Sequence, residues 1–297
     1  MKSLRLLRDT NNKKIHAHGG GIIKFKEYYY WYGEDRRKNN YVSIYRSKDL
    51  KNWEFRNHIL KVDSIQKSIS SYNLGLCNKD GQKVNIERPK IIYNKKINKF
   101  ILWAHYENGK DYNVASVCIA TCSSIDGDYE FNGYFRPLGY MSRDLTIFTD
   151  EDKNYLISAS NDNADLHIYE ISEDGLKIEK LISQQFVGEF REAPAMFKKD
   201  GIYYLLTSYC TGWIPNQCKY AYSDNLNKPF SKLKNIGNKN TSHSQPMFII
   251  NVKNNIIYIG DRWGGLSWKN VDEFDYMQST YTYTHIIEEN HHLRFKD

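Results

Sequence analysis

The feature that most restricts the fold of this chain is an internal repeat. Five segments share one grammar: a polar residue opens an apolar run, a tight Lys/Asn/Asp/Gly turn follows, and a Tyr/Ile/Leu-rich run returns. They are HGGGIIKFKEYYYWYGE from His18, ERPKIIYNKKINKFILWAH from Glu87, DLTIFTDEDKNYLISASN from Asp144, EAPAMFKKDGIYYLLTSYCTGW from Glu192 and QPMFIINVKNNIIYIGDRW from Gln245. Their openings lie 69, 57, 48 and 53 residues apart. Further strand-like stretches follow several of them (VSIYRSKDLKNWEF, SVCIATCSSIDGDYEF, LHIYEISEDGLKIEK, CKYAYSDNLNKPF), each broken by Ser/Asp turn chemistry. Units of about 50 residues with three or four antiparallel strands, repeated five times, predict an all-β, five-bladed β-propeller. A β-sandwich with accidental self-similarity is the competing architecture.

Composition agrees. The 24 Tyr, 13 Phe and 6 Trp sit in short runs bounded by turn residues, which suits many short strands. With 297 residues, the chain is within the size of one large all-β domain, and a single domain over residues 1–297 is expected. The 42 basic and 35 acidic residues are spread along the chain, and the Lys-rich pieces fall where turns are expected, so no nucleic-acid surface is predicted. Cys77, Cys118, Cys122, Cys210 and Cys218 form no Cys-x-x-Cys pair and are expected to be reduced thiols. Nothing approaches the ~20 apolar residues that span a bilayer, and the first residues carry no signal-peptide pattern. A cytoplasmic protein without membrane partners is therefore expected, or a secreted one if a leader has been trimmed.

In a propeller the first strand of each blade lines the axis. His18, Glu87, Asp144, Glu192 and Gln245 precede Tyr30, Phe100, Tyr155, Tyr203 and Ile257 of their paired strands by 12, 13, 11, 11 and 12 residues. That shared register places all five around one pit, and the antiparallel return brings Glu34, His105, Asn161, Thr211 and Asp261 into a second ring. A funnel with convergent polar groups is the default site.

Three carboxylates in one pocket repel one another and keep at least one protonated near neutral pH, the condition for a general acid. Glycoside hydrolysis uses such an acid on the leaving oxygen together with a group acting on water, about 6.5 to 9.5 Å away in inverting enzymes. Aromatic rings at the rim suit the apolar face of a sugar. Trp213, Trp263, Trp103 and Tyr112 are candidates, although Trp103 inside KFILWAH reads better as core. Arg88 and Arg191 adjoin two of the carboxylates and are candidates to hold them ionised or to grip sugar hydroxyls, and Arg262 in GDRW joins the substrate-binding set. No acidic loop demands a metal, and none is expected to be required.

The motifs AHGGGI, YYWYGE, ERPK, SRDLTIF, REAPAMF, TSYCTGW, SQPMF and GDRW, in this order from about Asp9 to Trp263, resemble glycoside hydrolase family 43 and within it the exo-β-1,3-galactanase group. The resemblance implies a five-bladed propeller and inverting hydrolysis. It implies Glu192 as general acid, Asp144 as the aspartate tuning it, and Glu87 as a glutamate of substrate recognition. The usual aspartate base of the first blade is replaced by His18, and the resemblance hands the nucleophilic water to Gln245. An ordinary amide is a negligible base, so Gln245 works either by orienting water or as its imidic-acid tautomer. His18, with an ordinary pKa near 6.5, is the rival base, and a structural role in the Gly-rich turn is preferred for it. A carbohydrate substrate, a galacto-oligosaccharide, is implied, and so is room for a structural calcium on the axis. Related branches acting on α-L-arabinofuranosides or β-D-galactofuranosides, and a non-catalytic sugar-binding propeller, are the alternatives.

Overall fold

In the computed structural model, which describes residues 2–4, 7–67, 75–266, 268 and 270–296, the five repeats form five antiparallel blades. A short strand β1 (Lys2–Leu4) precedes them. Blade 1 is β2 (His18–Phe25), β3 (Tyr28–Glu34), β4 (Asn40–Ser47) and β5 (Glu54–Lys61). Blade 2 is β6 (Asn85–Asn94), β7 (Lys99–Glu107), β8 (Ser116–Cys122) and β9 (Glu130–Phe135). Blade 3 follows as β10 (Leu145–Asp150), β11 (Lys153–Ser160), β12 (Asp165–Ile171) and β13 (Ile178–Gln185), and blade 4 as β14 (Arg191–Lys199), β15 (Ile202–Tyr209), β16 (Lys219–Ser223) and β17 (Lys234–Asn235). Blade 5 contains β18 (Gln245–Val252), β19 (Asn255–Arg262), β20 (Thr280–Glu289) and β21 (His292–Phe295).

The innermost strands β2, β6, β10, β14 and β18 neighbour one another around the axis. In blade 5 the outer position is shared: β1 pairs with Tyr281–Tyr283 and β21 with Ile286–Glu289 of β20. A strand from before blade 1 thus joins blade 5 by backbone hydrogen bonds.

Side chains alternate between the two faces of a strand, and in a propeller both faces meet a neighbouring blade. Unbroken apolar runs such as KFILWA follow from this. Leu102 packs toward blade 1 with Tyr32, Val42 and Ile44, whereas Ile101 and Trp103 pack toward blade 3 with Leu145 and Leu156. Equivalent clusters fill the remaining interfaces: Ile157 and Ile168 with Leu205, Phe197 and Tyr204 with Tyr258, and Trp31 with Met247 and Tyr281. Burying each such side chain contributes roughly 1.5 to 3 kcal/mol. Trp103 is fully buried and donates its indole N–H to Gly175 O at 3.1 Å, so it belongs to the core. All five cysteines are free, and no helix among the described residues is long and apolar enough to cross a membrane.

The Gly-rich opening of blade 1 is a matter of space. A Cβ on Gly20 would lie 1.8 Å from Tyr32 O and 2.6 Å from the Cα of Gly33 on the facing strand. Both neighbours are backbone and cannot swing away. Gly20→Ala is therefore expected to cost about 1 to 3 kcal/mol, seen as a lower midpoint in denaturant with an unchanged slope. Wild-type stability in that variant would mean that β2 and β3 are not this close.

Candidate active site

Three of the five inner openings carry a β-bulge directly after the site residue, between His18 and Gly21, Glu87 and Lys90, and Glu192 and Ala195, and a fourth carries one a residue later, between Pro246 and Phe248. In the first three, the residue after the site residue has a left-handed backbone, with φ of 59° at Gly19, 53° at Arg88 and 50° at Ala193. The bulge turns that residue's N–H toward a carboxylate of the preceding blade. Gly19 donates to Asp261 Oδ2 at 2.9 Å, Arg88 to Glu34 Oε1 at 3.1 Å and Ala193 to Asp144 Oδ2 at 3.1 Å. Asp261, Glu34 and Asp144 are thus each pinned by a peptide of the following blade, which is how bulges commonly re-aim groups at functional sites.

The bulge also explains why two arginines that look alike in the sequence part company. Arg191 precedes Glu192 on a regular strand, so the two point to opposite faces. Its guanidinium is buried against Thr207, donating Nε to Oγ1 at 3.0 Å and Nη2 to the carbonyl at 2.9 Å, and it reaches no carboxylate of the pit. Arg88 instead follows Glu87 at the bulge and turns inward with it. It forms an ion pair with Asp144 at 3.0 Å, donates Nη1 to Pro246 O at 3.0 Å and bonds Gln245 Oε1.

Around Arg88 the predicted inner ring assembles. Gln245 donates Nε2 to Glu192 Oε1 at 2.9 Å and to Ser208 Oγ at 2.9 Å, while its Oε1 also accepts from the Trp263 indole at 2.7 Å. Glu87 accepts from Arg36 at 2.8 Å and from the Tyr112 hydroxyl at 3.0 Å, with His105 Nδ1 at 3.3 Å from its other oxygen. Glu34 shares Arg36 at 2.9 Å. His18 is fully buried, its Nδ1 at 2.9 Å from Asp261 Oδ1 and its ring stacked on Tyr281 at 4.5 Å. His18 and Asp261 therefore satisfy each other beneath the pit, in keeping with a structural role for the histidine.

The second ring is partly redrawn. Strand pairing sets Glu34 opposite His18, His105 opposite Glu87 and Asp261 opposite Gln245, as expected, but the residue opposite Glu192 is Ser208. Thr211 lies beyond the strand end, where its hydroxyl donates to Ile214 O at 2.6 Å and so closes its own loop. Asn161 likewise sits in the turn after β11, its amide turned to Asp165. Arg262 donates Nε to Ser242 O at 3.1 Å. Trp213 has one partner stacked on it, Phe274 at 4.5 Å, within an aromatic group that includes Trp263 and Tyr276.

Three contributors escaped sequence reasoning. Arg36 lies two residues after Glu34, links Glu34 to Glu87, and covers Tyr276 at 4.5 Å. Tyr276 comes after Trp263, where the motif pattern fades. Ser208 had a signal, because the 16-residue step from Glu192 repeats that from His18 to Glu34 and from Gln245 to Asp261.

Environment separates the glutamates. Burial, reinforced by the Asp144 carboxylate, pushes Glu192 up to about 7 against the opposing Arg88 guanidinium and the bonds from Cys210 and Gln245. Burial also works against charge on Glu87, but Arg36, His105 and Tyr112 outweigh it and hold the carboxyl well below the usual range. Glu34 is raised by burial. Lys90, whose Nζ donates to Gly19 O at 2.7 Å, is lowered to about 7 by burial and by Arg88. Two glutamates with pKa values driven apart in one pit can act as proton donor and permanent anion.

Glu87, His105 and Asp144 bring ligand atoms within 4.8 Å of one another, the spacing of a metal site. Bonds to Glu107 and Glu87 outweigh burial and raise His105 to about 9, so a cation binding here would first have to displace the imidazole proton. Arg36 and Arg88 already supply the positive charge.

Fold and pit together have the form of the five-bladed propeller glycoside hydrolases. The chain belongs to family 43 of the glycosyl hydrolases, whose family model matches residues 18–247. Among solved structures it is similar to an exo-β-1,3-galactanase from Clostridium thermocellum, at 41% identity and a TM-score of 0.88 over 100% of this chain and 65% of that one. It is also similar to an exo-β-1,3-galactanase from Phanerochaete chrysosporium, at 30% identity and a TM-score of 0.86, covering 100% of this chain and 66% of the other. A family 43 β-1,3-galactosidase solved with galactodeoxynojirimycin shows 28% identity and a TM-score of 0.86, over 100% of this chain and 99% of that one. The chain thus spans about two thirds of the length of the two galactanases. None of the curated protein sequences matches it.

Carboxyl carbon NMR tests the electrostatics without a substrate. The Glu192 resonance, assigned by its loss in Glu192→Gln, is expected to titrate near 7. Asp144→Asn removes the adjacent negative charge and should lower that midpoint by about one pH unit. An unmoved midpoint would show that Asp144 does not tune Glu192.

Proposed function

We propose that the protein is an exo-acting, inverting hydrolase that releases galactose from β-1,3-galactan or its oligosaccharides. The observation that carries this reading is Glu192, a carboxyl bonded by the Gln245 amide at 2.9 Å and pushed up to about 7 by burial and the neighbouring Asp144. Family membership and three similar structures named as β-1,3-galactanases or a β-1,3-galactosidase support the sugar and the linkage.

In this reading Glu192 gives its proton to the glycosidic oxygen as the bond from C1 breaks and its electron pair stays with that oxygen. Water adds to C1 from the opposite face, and its surplus proton leaves to solvent, so the galactose departs with inverted configuration. Asp144 keeps the acid protonated and anchors Arg88. Gln245, bonded to Glu192 at 2.9 Å rather than set apart from it by the roughly 6.5 to 9.5 Å expected of an inverting pair, orients the water once a sugar separates the two. Glu87, held as an anion by Arg36 and His105, accepts hydrogen bonds from sugar hydroxyls, with Tyr112 beside it.

Incubation with β-1,3-galactobiose, followed by proton NMR, is expected to show α-galactose before mutarotation. Glu192→Gln should lose turnover by about a thousandfold while still binding the disaccharide in calorimetry. Tight binding without product in the wild type would make this a sugar-binding propeller, and product only from furanosides would move it to another branch of the family. A mutant with full turnover would remove Glu192 from the role of acid.

A further inference from the structure

Gln245 has no hydrogen-bonding capacity to spare. A side-chain amide offers two N–H bonds and two oxygen lone pairs. Here both N–H bonds go to Glu192 and Ser208, and both lone pairs accept, from Arg88 and Trp263. Arg and Trp are donors only. The edge facing them must therefore be the oxygen, and the orientation of the amide follows from its neighbours' chemistry. The same pair opposes the imidic-acid tautomer, which carries a hydrogen on that oxygen and would leave one of the two donors facing it without an acceptor.

We propose that Trp263 is a positioning residue for the reaction: its indole N–H, together with Arg88, saturates Gln245 Oε1 and holds the amide with its N–H edge toward Glu192 and the reacting water. The inference rests on the hydrolytic reading above. Trp263 is poorly placed for the alternative of stacking on a sugar. It is 8% exposed, Tyr276 stacks on it at 5.7 Å, the Arg88 guanidinium lies 5.7 Å from its ring, and Trp213 and His18 crowd it at 5.3 and 5.6 Å. Held in this way, Gln245 works as a donor. It fixes Glu192 Oε1 as an acceptor, so the catalytic proton resides on Oε2. When a sugar separates the two residues, the freed N–H can hold the oxygen of water but cannot take its proton.

Trp263→Phe keeps an aromatic ring in the cluster and deletes the N–H. On β-1,3-galactobiose it should lower kcat about tenfold with KM within about twofold, the loss of one oriented hydrogen bond. Because the bond from Gln245 lowers the Glu192 pKa, loosening it should move the carbon NMR midpoint of Glu192 upward. The other groups acting on Glu192, namely Asp144, Arg88 and Cys210, are unchanged in that variant. A tenfold rise in KM with kcat and midpoint unmoved would make Trp263 a sugar contact and overturn the proposal, as would wild-type kinetics. Ser208→Ala approaches the same amide from its nitrogen side, and if Trp263→Phe does not fold, it should give the same loss of kcat with KM retained. A wild type that cleaves no galactoside refutes the hydrolytic reading, whereas the Glu192 midpoint still reports on the clamp.

Discussion

The buried guanidinium of Arg88 is the interaction on which the rest of the pit depends. From blade 2 it touches Asp144 of blade 3 and Gln245 and Pro246 of blade 5, while its own N–H pins Glu34 of blade 1. Its charge also acts on Glu192 of blade 4. The carboxyls of the pit could not be gathered here without it, since isolated buried charges cost several kcal/mol each. Yet a guanidinium paired directly with Glu192 would hold that carboxyl ionised. Arg88 divides its donors among an anion, an amide and a carbonyl, so Asp144 is neutralised closely and Glu192 only from a distance. Glu192 thereby keeps its proton.

Arg88 can do this because the backbone there is unusual. A non-glycine residue in the left-handed region carries a small penalty, kept only where surrounding structure fixes it. The same device recurs at Gly19 and Ala193, and in all three the strained peptide bonds a carboxylate of the preceding blade. Strain and function are coupled through geometry: a regular strand would send alternate residues to opposite faces, as happens at Arg191, and the pit would lose either its glutamates or its arginine.

Much of this was legible in the chain because propeller geometry is periodic. The five openings could be aligned by counting from a turn to a strand, and the apolar runs announced strands buried on both faces. What could not be read was where each returning strand ends. The antiparallel return alone points to Asn161 and Thr211 for the second ring, whereas register puts Ser208 opposite Glu192 and leaves those two in turns that they cap themselves. Nor does any local pattern announce Arg36, whose value comes from reaching across to Glu87 on the next blade. Contacts between blades depend on how the bulges turn the chain, and a bulge has no sequence signature beyond an occasional glycine.

The division between Glu87 and Glu192 shows how one cavity sustains two protonation states. Both carboxyls are withdrawn from water, and burial alone would protonate both. Glu87 receives a guanidinium, a phenol and an imidazole that its own partnership with Glu107 keeps charged. Glu192 receives an amide, a neutral donor that orients the group without compensating a full charge. A charged donor in that place would favour the carboxylate and drain the acid of its proton, and an acceptor would compete for the proton outright. The neutral amide at Gln245 leaves Glu192 both oriented and protonated, which explains why this opening carries an amide where those of three other blades carry carboxylates.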